Sequence, residues 1–118
     1  MTTTEITSST LLAGHDVITY QVTLASTGAE VTLQRGTPLG RVTATRKFKA
    51  WDPAANDGSE VIAALLAETK TVPAAGDAKS DGYVHGEFHK NAIPWGAATA
   101  DQISDAVWAR AGRGIYVR

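Results

Sequence analysis

The sequence contains no cysteine, which excludes disulfide bonds and thiolate zinc sites and fits assembly in a reducing compartment. It also lacks an excess of either charge, since the formal net charge is −1 at pH 7. A near-neutral chain has no electrostatic attraction to nucleic acid or to an anionic membrane, so we expect neither as a partner. No apolar stretch reaches the ~20 residues that a membrane-spanning helix needs.

The first residues, MTTTEITSST, lack the basic region and apolar core of a signal peptide, and we therefore expect synthesis in the cytoplasm. The 118 residues, 43% hydrophobic and 19% charged, predict one globular domain with a modest core. Serine, histidine and aspartate are present, but no spacing links them into a nucleophile and its base. The residues therefore specify no enzyme, and we expect no cofactor.

Residues 1–14 differ in composition from the rest of the chain. Seven of the first ten residues are threonine or serine, and only Ile6, Leu11 and Leu12 could anchor the segment. Such a tract buries too little apolar surface to offset the entropy lost on ordering, so we expect a flexible N-terminal arm followed by a domain over 15–118. The arm is either an ordinary frayed terminus or a segment that orders on a partner by adding to a sheet edge.

The residues that follow predict a mainly β domain. Alternating apolar residues over 16–24 and at Val31 and Leu33, separated by a four-residue connection at 25–28, predict a β-hairpin. Its first strand should have one buried face, formed by Ile18, Tyr20, Val22 and Leu24.

Residues 36–68 predict a strand, a turn, a strand, a loop and a strand. Val42 to Thr45 favour extended backbone because they are rich in β-branched side chains, and Lys47 to Trp51 alternates. Asp52-Pro53 and Asn56 to Gly58 are turn residues. The apolar run Val61 to Ala67 has a helical composition, but its length and the flanking turns favour a buried strand.

The rest of the chain predicts a loop, further strands and one helix. The loop covers Val72 to Asp81, a strand covers Tyr83 to Phe88, and Ile115 to Val117 forms a short closing strand. Thr99 and Gln102 have the spacing of a helix capping box. The buried stripe of this helix should be Ile103, Ala106 and Val107, with Gly112 ending it.

One set of side chains could hold a metal. His85, Glu87 and His89 would share a face of a strand, and two histidines with a carboxylate form a plausible zinc ligand set. The same residues also fit an ordinary polar strand face opposite Val84 and Phe88. We favour the polar face and expect no bound zinc.

Three segments together resemble a known family. They are GTPLGRVTATRKFKAWDPAANDGSEVIAALLAE at 36–68, GYVHGEF at 82–88 and the ending ARAGRGIYVR. The most specific parts are Thr37 to Gly40, the Lys-x-x-Ala-Trp-Asp block before Asp57-Gly58, and Gly86 to Phe88. In order and spacing these segments resemble the head decoration proteins of tailed phages, from about Gly36 to Arg118.

The resemblance implies a small domain of short strands and hairpins in a barrel- or tulip-like arrangement, with one short C-terminal helix. It further implies a homotrimer that caps three-fold positions on the outer surface of the expanded head and stabilises it against packaged DNA. The partner would be the major capsid protein of a tailed phage. By position alone, the resemblance assigns capsid binding to Thr2, Thr3, Thr4, Glu5, Ile6, Thr7, Ser8 and Ser9.

Two other functional classes remain open on the residues alone. A trimeric ligand- or glycan-binding β-barrel could share this composition, with Trp51, Trp95 and Trp108 lining its pocket. We instead interpret the three tryptophans as core residues or subunit contacts. The other class is a metal-dependent hydrolase that uses the His85 strand.

Overall fold

A computed structural model shows a closed barrel of five strands with one short helix packed outside it. The structure describes residues 17–111 and 114–118. This confirms the predicted mainly β, barrel-like domain with a single short C-terminal helix. The elements are β1 (Ile18–Leu24), β2 (Val31–Leu33), β3 (Pro38–Arg41), β4 (Phe48–Ala50), β5 (Ile62–Leu66), β6 (Lys70–Val72), β7 (Ala78–Phe88), a 3₁₀ turn (Lys90–Ala92), α1 (Ala100–Arg110) and β8 (Ile115–Val117).

The barrel strands follow the order β1–β4–β3–β5–β7, and β7 pairs back with β1 to close the ring. The β1–β7 pairing is antiparallel and runs from Ile18 to Leu24. The pairing of β1 with β4 is parallel and joins only Leu24 to Phe48. The barrel therefore closes firmly on one side of β1 and by a single residue pair on the other.

Strand β5 shows why the run Val61 to Ala67 is apolar throughout. Leu66 points into a cluster inside the barrel with Val22 and Leu39, whereas Leu65 points outward into a second cluster with Phe88. Both leucines have no exposed surface. A strand covered on both faces needs apolar residues at every position, so the prediction of a buried strand is confirmed.

The predicted hairpin between β1 and β2 is wrong. Strand β2 pairs antiparallel with β6, forming a separate two-stranded sheet in which the Thr32 and Thr71 hydroxyls lie 2.9 Å apart. Alternation correctly located both strands, but it does not specify which strands pair. The connection at 25–28 is held instead by Ser26, whose hydroxyl donates to the Ala74 carbonyl at 2.8 Å.

Two segments have a backbone different from the one predicted. Val42 to Thr45 is a turn, because the N–H of Val42 donates to the carbonyl of Lys47 and Arg46 adopts a left-handed φ of 62°. The first central strand lies earlier, at β3. The predicted loop Val72 to Asp81 is too long: β6 occupies its first residue, and β7 begins at Ala78.

The helix begins at the predicted capping box. The Thr99 hydroxyl accepts from the N–H of Gln102 at 3.2 Å, and the Gln102 side chain accepts from the N–H of Thr99 at 2.9 Å. The predicted stripe of Ile103, Ala106 and Val107 is only half-buried, and no residue of α1 is fully buried. Its last turn is held to β5 by Arg110, whose Nη1 donates to the Ile62 carbonyl at 2.9 Å. Gly112, the predicted stop, lies outside the described residues.

Candidate functional site

The predicted capsid-binding residues Thr2 to Ser9, and the whole arm over 1–14, lie outside the described residues. The described chain begins with Val17 and enters β1 at once. The prediction of a buried face on β1 is confirmed for two of its four residues, Val22 and Leu24, which are buried. The other two are not, because Ile18 is 48% and Tyr20 is 65% exposed. The row of apolar side chains on this face of β1 thus continues beyond the barrel core, and its first two members, Ile18 and Tyr20, form an exposed apolar row.

The exposed row lies beside an incompletely paired strand edge. Because β1 meets β4 only at Leu24, the other edge of residues 18–23 pairs with no strand in the described ranges. An unpaired edge presents backbone N–H and C=O groups that another strand can satisfy. Ile18 and Tyr20 with this edge form an apolar surface where the N-terminal segment joins the barrel.

The candidate metal ligands are not brought together. The His85 ring lies edge-on to Tyr116, with centroids 6.2 Å apart, and Glu87 pairs with Arg118 at 3.0 Å. His89 is exposed and lies just beyond the end of β7. Across residues 17–111 and 114–118, no group of three or more histidine, cysteine, aspartate or glutamate side chains could hold a metal ion.

A groove runs between the base of the β3–β4 hairpin and α1. It consists of two clefts, of about 480 and 270 Å³, that share Trp51, Pro53 and Gln102. We call it the Trp51 groove. Trp51 is nearly buried, and its indole N–H donates to the Glu60 carbonyl at 2.8 Å. Trp95 lies edge-on to Trp51 with ring centroids 5.9 Å apart.

The walls of the Trp51 groove are apolar and its charges are all acidic. Asp52 lines the larger cleft, and Glu60 and Asp105 line the smaller one beside Val61. Neither cleft has a lysine or arginine among its lining residues in the described part of the chain. The groove is therefore suited to a ligand that combines apolar surface with positive charge.

The outer face of α1 extends this groove. Asp105 is exposed, and Trp108, one turn further along, is 76% exposed. The interpretation of Trp108 as a core residue is wrong, whereas a subunit contact remains a prediction. The sequence contained the signal, because Trp108 falls at helical spacing from Asp101 and Asp105 and so lies on the polar face. Trp51 and Trp95 line the groove, but Trp108 lines neither of its clefts.

Four basic residues lie on the β3–β4 hairpin and its turn. Lys47 pairs with Asp77 at 2.6 Å and Lys49 with Asp57 at 3.0 Å, whereas Arg41 and Arg46 are exposed. A hydrogen bond from the Ser59 hydroxyl, supported by the Ser59 N–H and by Lys49, holds the pKa of Asp57 well below its usual range. The Lys47 ammonium and the Ser26 N–H likewise lower the pKa of Asp77.

No helix in the described part of the chain is long and apolar enough to cross a membrane. The family model described as bacteriophage lambda head decoration protein D matches residues 1–115 of the 118-residue chain. Comparison with individual curated proteins gives no match.

Proposed function

The chain belongs to the bacteriophage lambda head decoration protein D family, and from that premise we propose that it binds as a homotrimer at three-fold positions of the expanded head and stabilises the head against packaged DNA. The family comprises structural components of the phage capsid and not enzymes. The proposal goes beyond family membership in four respects. The protein is a trimer, it lies on the outer surface of the capsid, its partner is the major capsid protein, and it is synthesised in the host cytoplasm.

The observation that carries the proposed docking mode is the exposed apolar row at the start of β1. Ile18 and Tyr20 lie where the N-terminal segment joins the barrel, next to an edge of β1 that no described strand covers. We assign capsid binding to Thr2 to Ser9 together with this row. The arm adds main-chain hydrogen bonds to a strand of the shell protein, and Ile18 and Tyr20 add buried apolar area.

The magnitudes favour an arm that works only in a trimer. Ordering eight residues costs about 8–16 kcal/mol in backbone entropy. Burying Ile18 and Tyr20 contributes at most about 3–6 kcal/mol together, which is less than that cost. Main-chain hydrogen bonds to the shell must supply the rest, so one arm alone binds weakly. Three arms on one trimer bind at a high effective concentration, which raises the affinity without any new contact.

Sedimentation with emptied, expanded heads of the phage that encodes this protein tests the proposal. Deleting residues 2–12 should leave the melting temperature unchanged and abolish co-sedimentation. Tyr20→Ser should weaken binding at least tenfold. Val31→Ser is the matched control, since Val31 is also exposed but lies on the separate β2–β6 sheet. If the truncated chain decorates heads as well as the full chain does, the docking mode is wrong.

A further inference from the structure

The Trp51 groove and the outer face of α1 fit a second copy of this chain. We propose that they bind the basic β3–β4 turn of a neighbouring copy, with the guanidinium group of Arg46 placed between Asp105 and Trp108. This inference rests on the proposed trimer and names the surfaces that would join its subunits. No part of the groove belongs to the β1 surface assigned above to the capsid.

The helix offers the chemistry that a guanidinium group binds. Asp105 and Trp108 are three residues apart on α1, which places their side chains about 5–6 Å from each other on one face. A carboxylate accepts two parallel hydrogen bonds from arginine, and an indole face attracts the same planar cation. Both side chains are exposed and Val61 beside the groove is 49% exposed, so a partner would cover apolar surface as well.

The β3–β4 turn offers the matching charge. Lys47 and Lys49 already pair with Asp77 and Asp57. Arg41 and Arg46 are exposed, and the structure gives neither an ion pair with a described residue. The left-handed backbone of Arg46 lies within a turn fixed by the N–H of Arg46, which donates to the Val42 carbonyl at 2.7 Å.

The contact is proposed between copies because Arg46 does not make it within its own chain. The turn packs on the segment that precedes the groove, where the Thr43 N–H donates to the Asp57 carbonyl at 2.8 Å. In the described part of the chain, no ion pair joins Arg46 to Asp105. A contact between two different surfaces is head-to-tail, and such contacts generate closed rings when the rotation allows it.

A charge swap tests this contact by light scattering and analytical ultracentrifugation of the full chain. Asp105→Arg and Arg46→Asp should each weaken self-association at least tenfold, and the double variant should restore most of it. Aspartate tolerates left-handed backbone, so Arg46→Asp preserves the turn. Glu30→Arg and Lys79→Asp reverse exposed charges elsewhere and should associate like the unmodified chain.

Mixing the two single variants gives a sharper result. Each contact between the two different variants joins an acidic to a basic side chain, whereas each contact between two copies of one variant joins like charges. A ring of three must contain at least one contact between copies of the same variant, so the mixture should associate more strongly than either variant alone but form no closed ring of three. Single variants that associate like the unmodified chain, a double variant without recovery, or an unmodified chain that stays monomeric at high concentration would each overturn the inference.

Decoration of expanded heads, measured on the same variants, separates this inference from the proposed function. If the single variants self-associate normally and decorate heads, the charge contact is wrong and the function stands. If the charge swap behaves as expected but the unmodified chain does not bind heads, the capsid role fails and the subunit contact stands.

Discussion

Gly40 is a position at which a single added methyl group should be strongly destabilising. A Cβ atom added there would lie 2.3 Å from the carbonyl oxygen and 2.4 Å from the Cα of Ser59. Both are backbone atoms, and Ser59 is itself fully buried, so no side-chain rotation relieves the overlap. Ordinary contact begins near 3.4 Å. Gly40→Ala must therefore push β3 and the Ser59 backbone apart by about 1 Å.

The energetic consequence follows from what that movement breaks. The Ser59 carbonyl accepts from the N–H of Asp52 at 3.1 Å, and Gly40 is in register with Ile62 beside an irregularity in the β3–β5 pairing. Overpacking costs about 1–3 kcal/mol, and a lost hydrogen bond adds about 1 kcal/mol. We expect Gly40→Ala to lower the free energy of unfolding by about 2–4 kcal/mol, and the melting temperature by about 8–16 °C at this chain length.

Thermal unfolding followed by circular dichroism measures the effect, and Gly76→Ala is the matched control. A Cβ at Gly76 meets no atom within 4 Å, and its backbone is not left-handed. This variant should be neutral, or more stable by up to about 1 kcal/mol because its unfolded state loses freedom. If Gly40→Ala melts within about 2 °C of Gly76→Ala, the close packing of Ser59 against β3 is wrong.

Two further predictions concern acid and metal. Because the folded pKa values of Asp57 and Asp77 are lowered, their contribution to stability is complete above the ordinary aspartate pKa and is lost as the pH falls through the folded values. The free energy of unfolding measured in urea should therefore fall below about pH 4, and it should fall less in Asp57→Asn. If that variant loses as much stability in acid as the unmodified chain, the lowered pKa of Asp57 does not contribute to stability. His85→Ala combined with His89→Ala should cost about 1 kcal/mol, for the lost ring contact with Tyr116, and leave capsid binding intact. A chelator should not shift the melting temperature of the unmodified chain, and stoichiometric zinc lost in the double variant would show that the side chains bind metal.

The sequence predicted elements that depend on neighbouring residues and missed those that depend on pairing. The Thr99 capping box and the buried strand at Val61 to Ala67 were predicted correctly, since hydrogen bonds and apolar runs within one segment decide them. The β1–β2 hairpin was wrong because β2 pairs with β6, and alternation carries no information about partners.

The candidate site was predictable only in part. The arm over residues 1–14 and its capsid-binding role stay predictions, because these residues lie outside the described range. The exposure of Ile18 and Tyr20 was missed because it depends on where the barrel core ends. The Trp51 groove requires β3, β4 and α1 to meet, which no local pattern specifies. Trp108 could have been found by its helical spacing from Asp105.

The one-sided pairing of β1 also determines how the barrel carries mechanical load. A pull on the residues before Ile18, directed along the strand, acts on the β1–β7 hydrogen bonds in shear, so the bonds from Ile18 to Leu24 share it at once. The same pull directed sideways would peel them apart singly. Strand β7 spreads the force further, because its 11 residues also pair with β5 and β8. The barrel is thus a strong anchor along one direction and a weak one across it.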